Sequence, residues 1–275
     1  MPESSDRLAP QTSDEYVFDN TAPMAAGRFG ALEAMYDETS IRHLSRFVGP
    51  GARCLEVGGG SGSLALWMSN KVGSDGHVTV TDINTRFLDD LQMPNLEVRK
   101  HDIVQDPLEE SAYDVAHTRL VLVHLPERRT VIDRMLSALK PGGWLVLQEF
   151  DSLSMQPDSA IGHSETVLKT LFAQWDHMTA KGVDVRFGRE LFPILSAAGL
   201  QRVSAEGHVV FNQGGSPGAS LVEANFHQLH DQLVADGRIT EEEFSADLAR
   251  LQDPTVIWPS SILWTCSGQK PAGKH

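Results

Sequence analysis

The chain has 275 residues, 41% hydrophobic and 22% charged, enough to bury a core in one elaborated domain or in two. Its net charge of −14 argues against a nucleic-acid partner or an anionic membrane surface. The start, MPESSDRLAPQTSDE, is polar and acidic rather than signal-like, and no apolar run approaches the ~18 residues of a spanning helix, so a cytoplasmic protein is expected.

Residues 1–15 read as a disordered tail, and 16–48 as helical, with Leu32, Met35 and Tyr36, then Ile41, Leu44 and Phe47, at helical spacing. After the turn GPGAR, strand and helix alternate: RCLEV, SLALWMSNKV, HVTVTD, NTRFLDDL, LEVRKHD, YDVAHTRLVL, RRTVIDRMLSAL, the turn KPGG, then WLVLQEF. Buried apolar strands alternating with helices predict an α/β fold with a parallel sheet covered on both faces. After Asp151 the rhythm changes. Helices are predicted over about 159–181 and in GRELFPILSAAGL, a strand in QRVSAEGHVVF, two helices within 219–251 broken at DGRIT, and a last strand in TVIWPSSILWTCSG. Residues 49–151 thus form a core, and 152–268 complete the sheet and add helices where a substrate cap would sit. Cys54 and Cys266 each lie in an apolar strand and read as reduced core residues.

The first strand ends in Glu56, and four glycines crowd into the five positions after Val57. Such a turn lets backbone approach a ligand and aims helix N–H groups at an anion. It suits a dinucleotide pyrophosphate or the methionine end of S-adenosylmethionine. The run from Gly60 to Ala65 fits the loose G-x-G-x-x-G/A form, with Asp82 at the spacing of a ribose-binding acid. Glu56 repels a pyrophosphate and attracts an ammonium.

The segment from Glu56 to Gly62 is similar to motif I, E/D-x-G-x-G-x-G, of the class I S-adenosylmethionine-dependent methyltransferases. VTVTD, KHDI, YDVAHTRLVLVHL and LKPGGWLVLQEF resemble that family's next motifs in order. With YVFDN and EAMYDETSIRHL, the chain resembles the bacterial small-molecule, UbiE-like branch, often found in natural-product pathways. The resemblance implies a Rossmann-like, doubly wound, mostly parallel seven-stranded sheet, an N-terminal helical lid and helical insertions after strands five and six. It implies S-adenosyl-L-methionine as cofactor and a small-molecule acceptor as partner, with a homodimer as the assembly considered. Gly58, Gly60 and Gly62 would shape the methionine pocket, Glu56 hold the ammonium, and Asp82 take both ribose hydroxyls. Ile83 and Ile103 would pack on adenine, Asp102 accept from its amino group, and Arg119 sit beside the methionine portion. From the lid, Tyr16 would pack and Arg28 reach the carboxylate. Plainer roles stand beside these: a helix cap for Asp82, a turn acid for Asp102, a surface charge for Arg119 or Arg28, and helix packing for Tyr16. The alternatives are an NAD(P)-dependent oxidoreductase and a non-catalytic cofactor-binding protein, which would keep the same first motif.

A sulfonium methyl is already activated, so a base is needed only where the nucleophile must lose a proton. His124, Glu149 and Asp151 are the candidates, and His117 reads as structural. Leu168, Leu171, Phe172 and Trp175 form one apolar helix face, and Phe172 and Trp175 are candidates to stack on a flat aromatic acceptor, such as an indole alkaloid or phenolic polyketide. Glu223, His227 and His230 could suggest a metal but equally suit the polar face of a helix, and no metal is expected.

Overall fold

The computed structural model describes residues 25–155 and 168–273. Tyr16, the 1–15 segment and the first part of the helix expected from 159 lie outside them. Strands β1 (Arg53–Val57), β2 (His77–Asp82), β3 (Leu96–Lys100), β4 (Tyr113–Arg119) and β5 (Leu139–Asp151) run parallel. With β6 (Gln201–His208) and β9 (Ile262–Gln269) they form a seven-stranded sheet in the order β3-β2-β1-β4-β5-β9-β6. β9 is antiparallel to both its neighbours. A separate ribbon pairs β7 (Phe211–Gln213) with β8 (Ile257–Pro259).

Period-two side-chain alternation sends neighbouring residues to opposite faces, and both faces are buried. Cys54, Val115 and Val146 pack with Leu64 and Met68 of α2 (Ser63–Val72). Leu55, Ala116 and Leu147 pack into a larger core with Ile132 and Met135 of α3 (Arg128–Ala138). Cys54 and Cys266 are buried free thiols, both pushed up to about 12 by burial. α1 (Ala25–Leu44) lies over the carboxyl edge of the strands and packs on α6 (Pro217–Ala235). α4 (Leu168–Ala180) and α7 (Glu241–Leu251) complete this cap, and α5 (Leu191–Ala197) packs beside β6.

Several predicted boundaries change. NTRFLDDL makes a turn over 86–90 rather than a helix. Asn84 accepts from the Arg86 N–H, Leu88 is driven into the core, and Pro94 follows too soon for a second turn. KPGG does not interrupt β5; the strand continues through a bulge between the Tyr113–Leu139 and Val115–Trp144 pairs. GRELFPILSAAGL opens as a 3₁₀ turn, Phe187–Glu190, before α5. The predicted sixth strand splits into β6 and β7. The predicted last strand splits into β8 and β9 at Ser260, whose N–H donates to Val210 O and whose hydroxyl accepts from Val210 N.

The cap is tied internally by Asp247, which is buried on α7. It accepts from the Thr170 N–H at 2.9 Å and the Thr170 hydroxyl at 2.6 Å, and from Arg250 at 3.0 Å. Asp247→Ala leaves the buried Thr170 N–H unpaired and should cost about 2–3 kcal/mol. Urea denaturation measures this, and an unchanged midpoint would refute the tie.

Candidate functional site

The turn after β1 is shaped by close approach. Gly58, at φ 73°, passes so near β4's exit that a Cβ there would lie 2.2 Å from Val121 Cγ2. Gly62, at φ 85°, caps α2, where a Cβ would meet Leu91 at 2.3 Å. Gly58 and Gly59 donate to Thr81 O at 2.8 and 3.0 Å, and Gly60 donates to Asp82 Oδ2 at 3.1 Å. Asn84 N–H donates to Asp82 Oδ1 at 3.0 Å. The Asp82 carboxyl thus accepts backbone N–H groups on both oxygens and keeps acceptor capacity, while burial raises its pKa.

Glu56 is 4% exposed, and its Oε2 has no hydrogen-bond partner. His117 Nδ1 is 3.6 Å from its Oε1. His117 Nε2 meets Gln148 Oε1 at 3.1 Å, and Gln148 in turn donates to Thr265 Oγ1 at 2.7 Å. A buried carboxylate with so few partners is costly unless a cation arrives.

Beside these groups lies a cavity of about 280 Å³ at the carboxyl edge of the sheet, where strand order reverses between β1 and β4. One end is walled by Glu56, Gly58, Gly60, Asp82, Ile83, Asp102 and Ile103. Arg28, Arg119, His124 and Trp175 also line it. Gly62 does not; its work is the helix cap. Asp102 acts as a turn acid, its Oδ1 accepting from Val104 N at 2.8 Å, and it also stands in the cavity wall. Arg119 is no surface charge: it donates to Asp37 at 2.8 Å and Ser40 at 3.0 Å, tying α1 to β4. Ser61 bonds Glu33, a second tie to α1.

Of the three base candidates, only His124 reaches the cavity. Burial, with Arg28 and Arg128 adding, pushes its pKa down to about 3, so it is a neutral and weak base. Glu149 is a correction. It is buried away from the cavity and accepts the N–H groups of Val121, Leu122 and Val123 at 3.2, 2.8 and 3.4 Å. Burial pushes it up to about 8 against the pull of those donors. Asp151 is a second correction, held by two 2.8 Å bonds from Arg189 outside the cavity wall. Phe172 is a third. It is 39% exposed on the outer side of α4, touching Trp175 edge-on at 5.3 Å, while Trp175 is 5% exposed and faces the cavity.

Sequence reading missed Tyr36, Gln174, Asn212 and Asn225, which also line the cavity. Tyr36 bonds Ser260, and burial pushes its hydroxyl up to about 12. For Gln174 a signal existed: it lies at helical spacing with Leu171, Trp175 and Met178. His230 pairs with Asp231 and Glu241, and His227 lies 3.9 Å from Glu223. Among the described residues no group of three His, Cys, Asp or Glu is placed to hold a metal, and no helix is long and apolar enough to cross a membrane.

A methyltransferase-domain family model matches residues 32–205. Methyltransferase str2 of Strobilurus tenacellus is 30% identical over 152 residues, covering 55% of this chain and 54% of that protein. The ubiquinone/menaquinone biosynthesis C-methyltransferase UbiE of Vibrio parahaemolyticus is 30% identical over 120 residues, covering 41% and 46%. The chain thus spans about half the length of the curated relatives it matches. Among solved structures, Haemonchus contortus phosphoethanolamine N-methyltransferase 2 in complex with S-adenosyl-L-methionine aligns with a TM-score of 0.59 at 14% identity, over 96% of this chain and 60% of that one. That likeness is one of fold.

Two outcomes follow from the buried titratable groups. Glu149→Ala strands three backbone donors and should lower stability by about 3 kcal/mol in chemical denaturation; a variant as stable as the parent would contradict this. His124 has a folded pKa below its unfolded one, so the unfolded chain takes up the proton first as pH falls from about 6.5 towards 3. Its contribution is complete above that window and lost on descending through it. Between pH 7 and 5 the parent should lose about 2 kcal/mol more than His124→Asn, and equal losses would refute the assignment.

Proposed function

The chain belongs to the methyltransferase-domain family, and from that membership we propose that it transfers a methyl group from S-adenosyl-L-methionine to an uncharged, largely apolar small-molecule acceptor. One observation carries the reading. A buried carboxylate with one oxygen unpaired, a glycine cradle and an aspartate with spare acceptor capacity open into one cavity, which continues between apolar helices.

The residues fit the cofactor. Glu56 takes its ammonium, the counter-charge that the buried carboxylate lacks. The backbone at Gly58 and Gly60, where a Cβ would run into Val121 or crowd Phe29, lines the cavity and admits its methionine portion. Asp82 accepts from the ribose hydroxyls with the lone pairs that Gly60 and Asn84 leave open. Ile83, 40% exposed in the free protein, and Ile103 pack on adenine, and Asp102 accepts from its amino group. What the cofactor supplies when bound is an activated sulfonium methyl, open to in-line displacement.

The chain's own contribution is positioning and exclusion of water. α1, tied down through Arg119–Asp37 and Ser61–Glu33, roofs the cavity. His124 is the one base candidate in the wall, and a weak one. The reading therefore favours a nucleophile that attacks without prior deprotonation, on carbon, nitrogen or oxygen. Trp175, Tyr36 and Phe150 give the acceptor end aromatic walls, which supports a flat aromatic metabolite such as an indole alkaloid or phenolic polyketide.

Asp82→Asn keeps the side chain's shape and removes its charge. It should weaken S-adenosyl-L-methionine binding about tenfold, since charge-assisted hydrogen bonds become ordinary ones. Calorimetry on a variant with parental melting temperature tests this; an unchanged dissociation constant would remove Asp82 from the ribose site.

A further inference from the structure

Two helices of different origin present the same pattern to the cavity. From α4 come Leu171, Gln174, Trp175 and Met178. From α6 come Gly218, Leu221, Val222 and Asn225. Both sets follow i, i+3, i+4, i+7, the spacing of an apolar helix stripe. Each set carries one carboxamide where that spacing calls for a hydrophobic residue.

Among the described residues neither carboxamide oxygen finds a donor. Gln174 is 5% exposed; its amino group rests on Met178 Sδ at 3.6 Å, and its oxygen has no donor. The Asn225 oxygen also has none. A buried carbonyl oxygen without a donor destabilises the fold, and an apolar side chain of similar shape would not. The polar groups therefore work against the stability of the stripes that hold them. Charge is also absent here: among the described residues, the charged side chains of the cavity wall come from α1 and from the ends of β1, β2, β3 and β4, none from α4, α6 or the β7–β8 ribbon.

We propose that Gln174 and Asn225 are specificity-determining residues that read two hydrogen-bond donors, N–H or O–H, on an uncharged acceptor with an apolar body. The proposal rests on the methyl-transfer reading above and narrows its acceptor class. An acceptor that offers only carbonyl or ether oxygens leaves both carboxamide oxygens stranded. An anion finds no countercharge on α4, α6 or the β7–β8 ribbon.

Three probes of similar size test this on the full chain loaded with S-adenosylhomocysteine: 1,5-dihydroxynaphthalene, its dimethyl ether, and 2-naphthoate. Calorimetry should find the diol bound about tenfold more tightly than the ether, and the naphthoate most weakly. Gln174→Leu and Asn225→Leu together should bring the diol-to-ether ratio close to one and leave S-adenosylhomocysteine affinity unchanged. Each single variant should also melt at or above the parental temperature, which a merely structural role would not give. Equal binding of diol and ether, tightest binding of naphthoate, no binding by any probe, a ratio that survives both substitutions, or variants that fail to fold would each overturn the proposal. Failure of S-adenosylhomocysteine itself to bind would instead count against the methyl-transfer reading, since the probe ratio can be read without it.

Discussion

The end of β2 holds the turn that follows β1. Three successive N–H groups, those of Gly58, Gly59 and Gly60, are given to the Thr81 carbonyl and the Asp82 carboxylate. This fixes a turn whose glycines would otherwise leave its backbone free to take many conformations. It also fixes Asp82, because the same carboxylate holds the turn and faces the cavity. The start of α2, the exit of β2 and the exit of β4 are thereby set relative to one another before any ligand arrives. Preorganisation of this kind lowers what binding must spend on ordering.

Glu149 plays the matching part on the other side of the cavity. Its carboxyl group collects three N–H groups of the loop after β4, where Leu120 already sits at φ 58°. That loop carries Val121, which closes on Gly58, and His124, which reaches the wall. A residue with the profile of a catalytic acid, buried and raised in pKa, is thus an architectural one. Perturbed titration marks function only when the group reaches the place where chemistry happens.

The sheet, and the gathering of Glu56, Gly58, Gly60 and Asp82 at one end of the cavity, were legible in the sequence, because both depend on local pattern. Strand periodicity, the glycines after Val57 and the acid ending β2 are read within a few residues. The other end of the cavity was not. Glu149 and Asp151 look like exposed strand-end acids until their partners are known, and those lie 26 to 28 and 38 residues away. Phe172 and Trp175 share a helix stripe three residues apart, and only the packing of α4 on α6 and α7 decides which of them turns inward. The predicted helix at NTRFLDDL failed for a related reason: Leu88 and Leu91 are drawn against the glycine turn, a tertiary contact that propensity does not contain.

The place of β9 bears on how the chain is made. It is the last strand of the sheet to leave the ribosome, yet it lies between β5 and β6 and pairs with both. Until it emerges, β5 presents an open edge and β6 has no neighbour in the sheet. The helices α4 and α5 therefore belong to a connection whose two strands, β5 and β6, are not bridged until β9 arrives. Translation thus leaves an interval in which β1 to β5 and the glycine turn can form before β9 closes the sheet. An early-bound cofactor would act as a template on which the cap is later assembled.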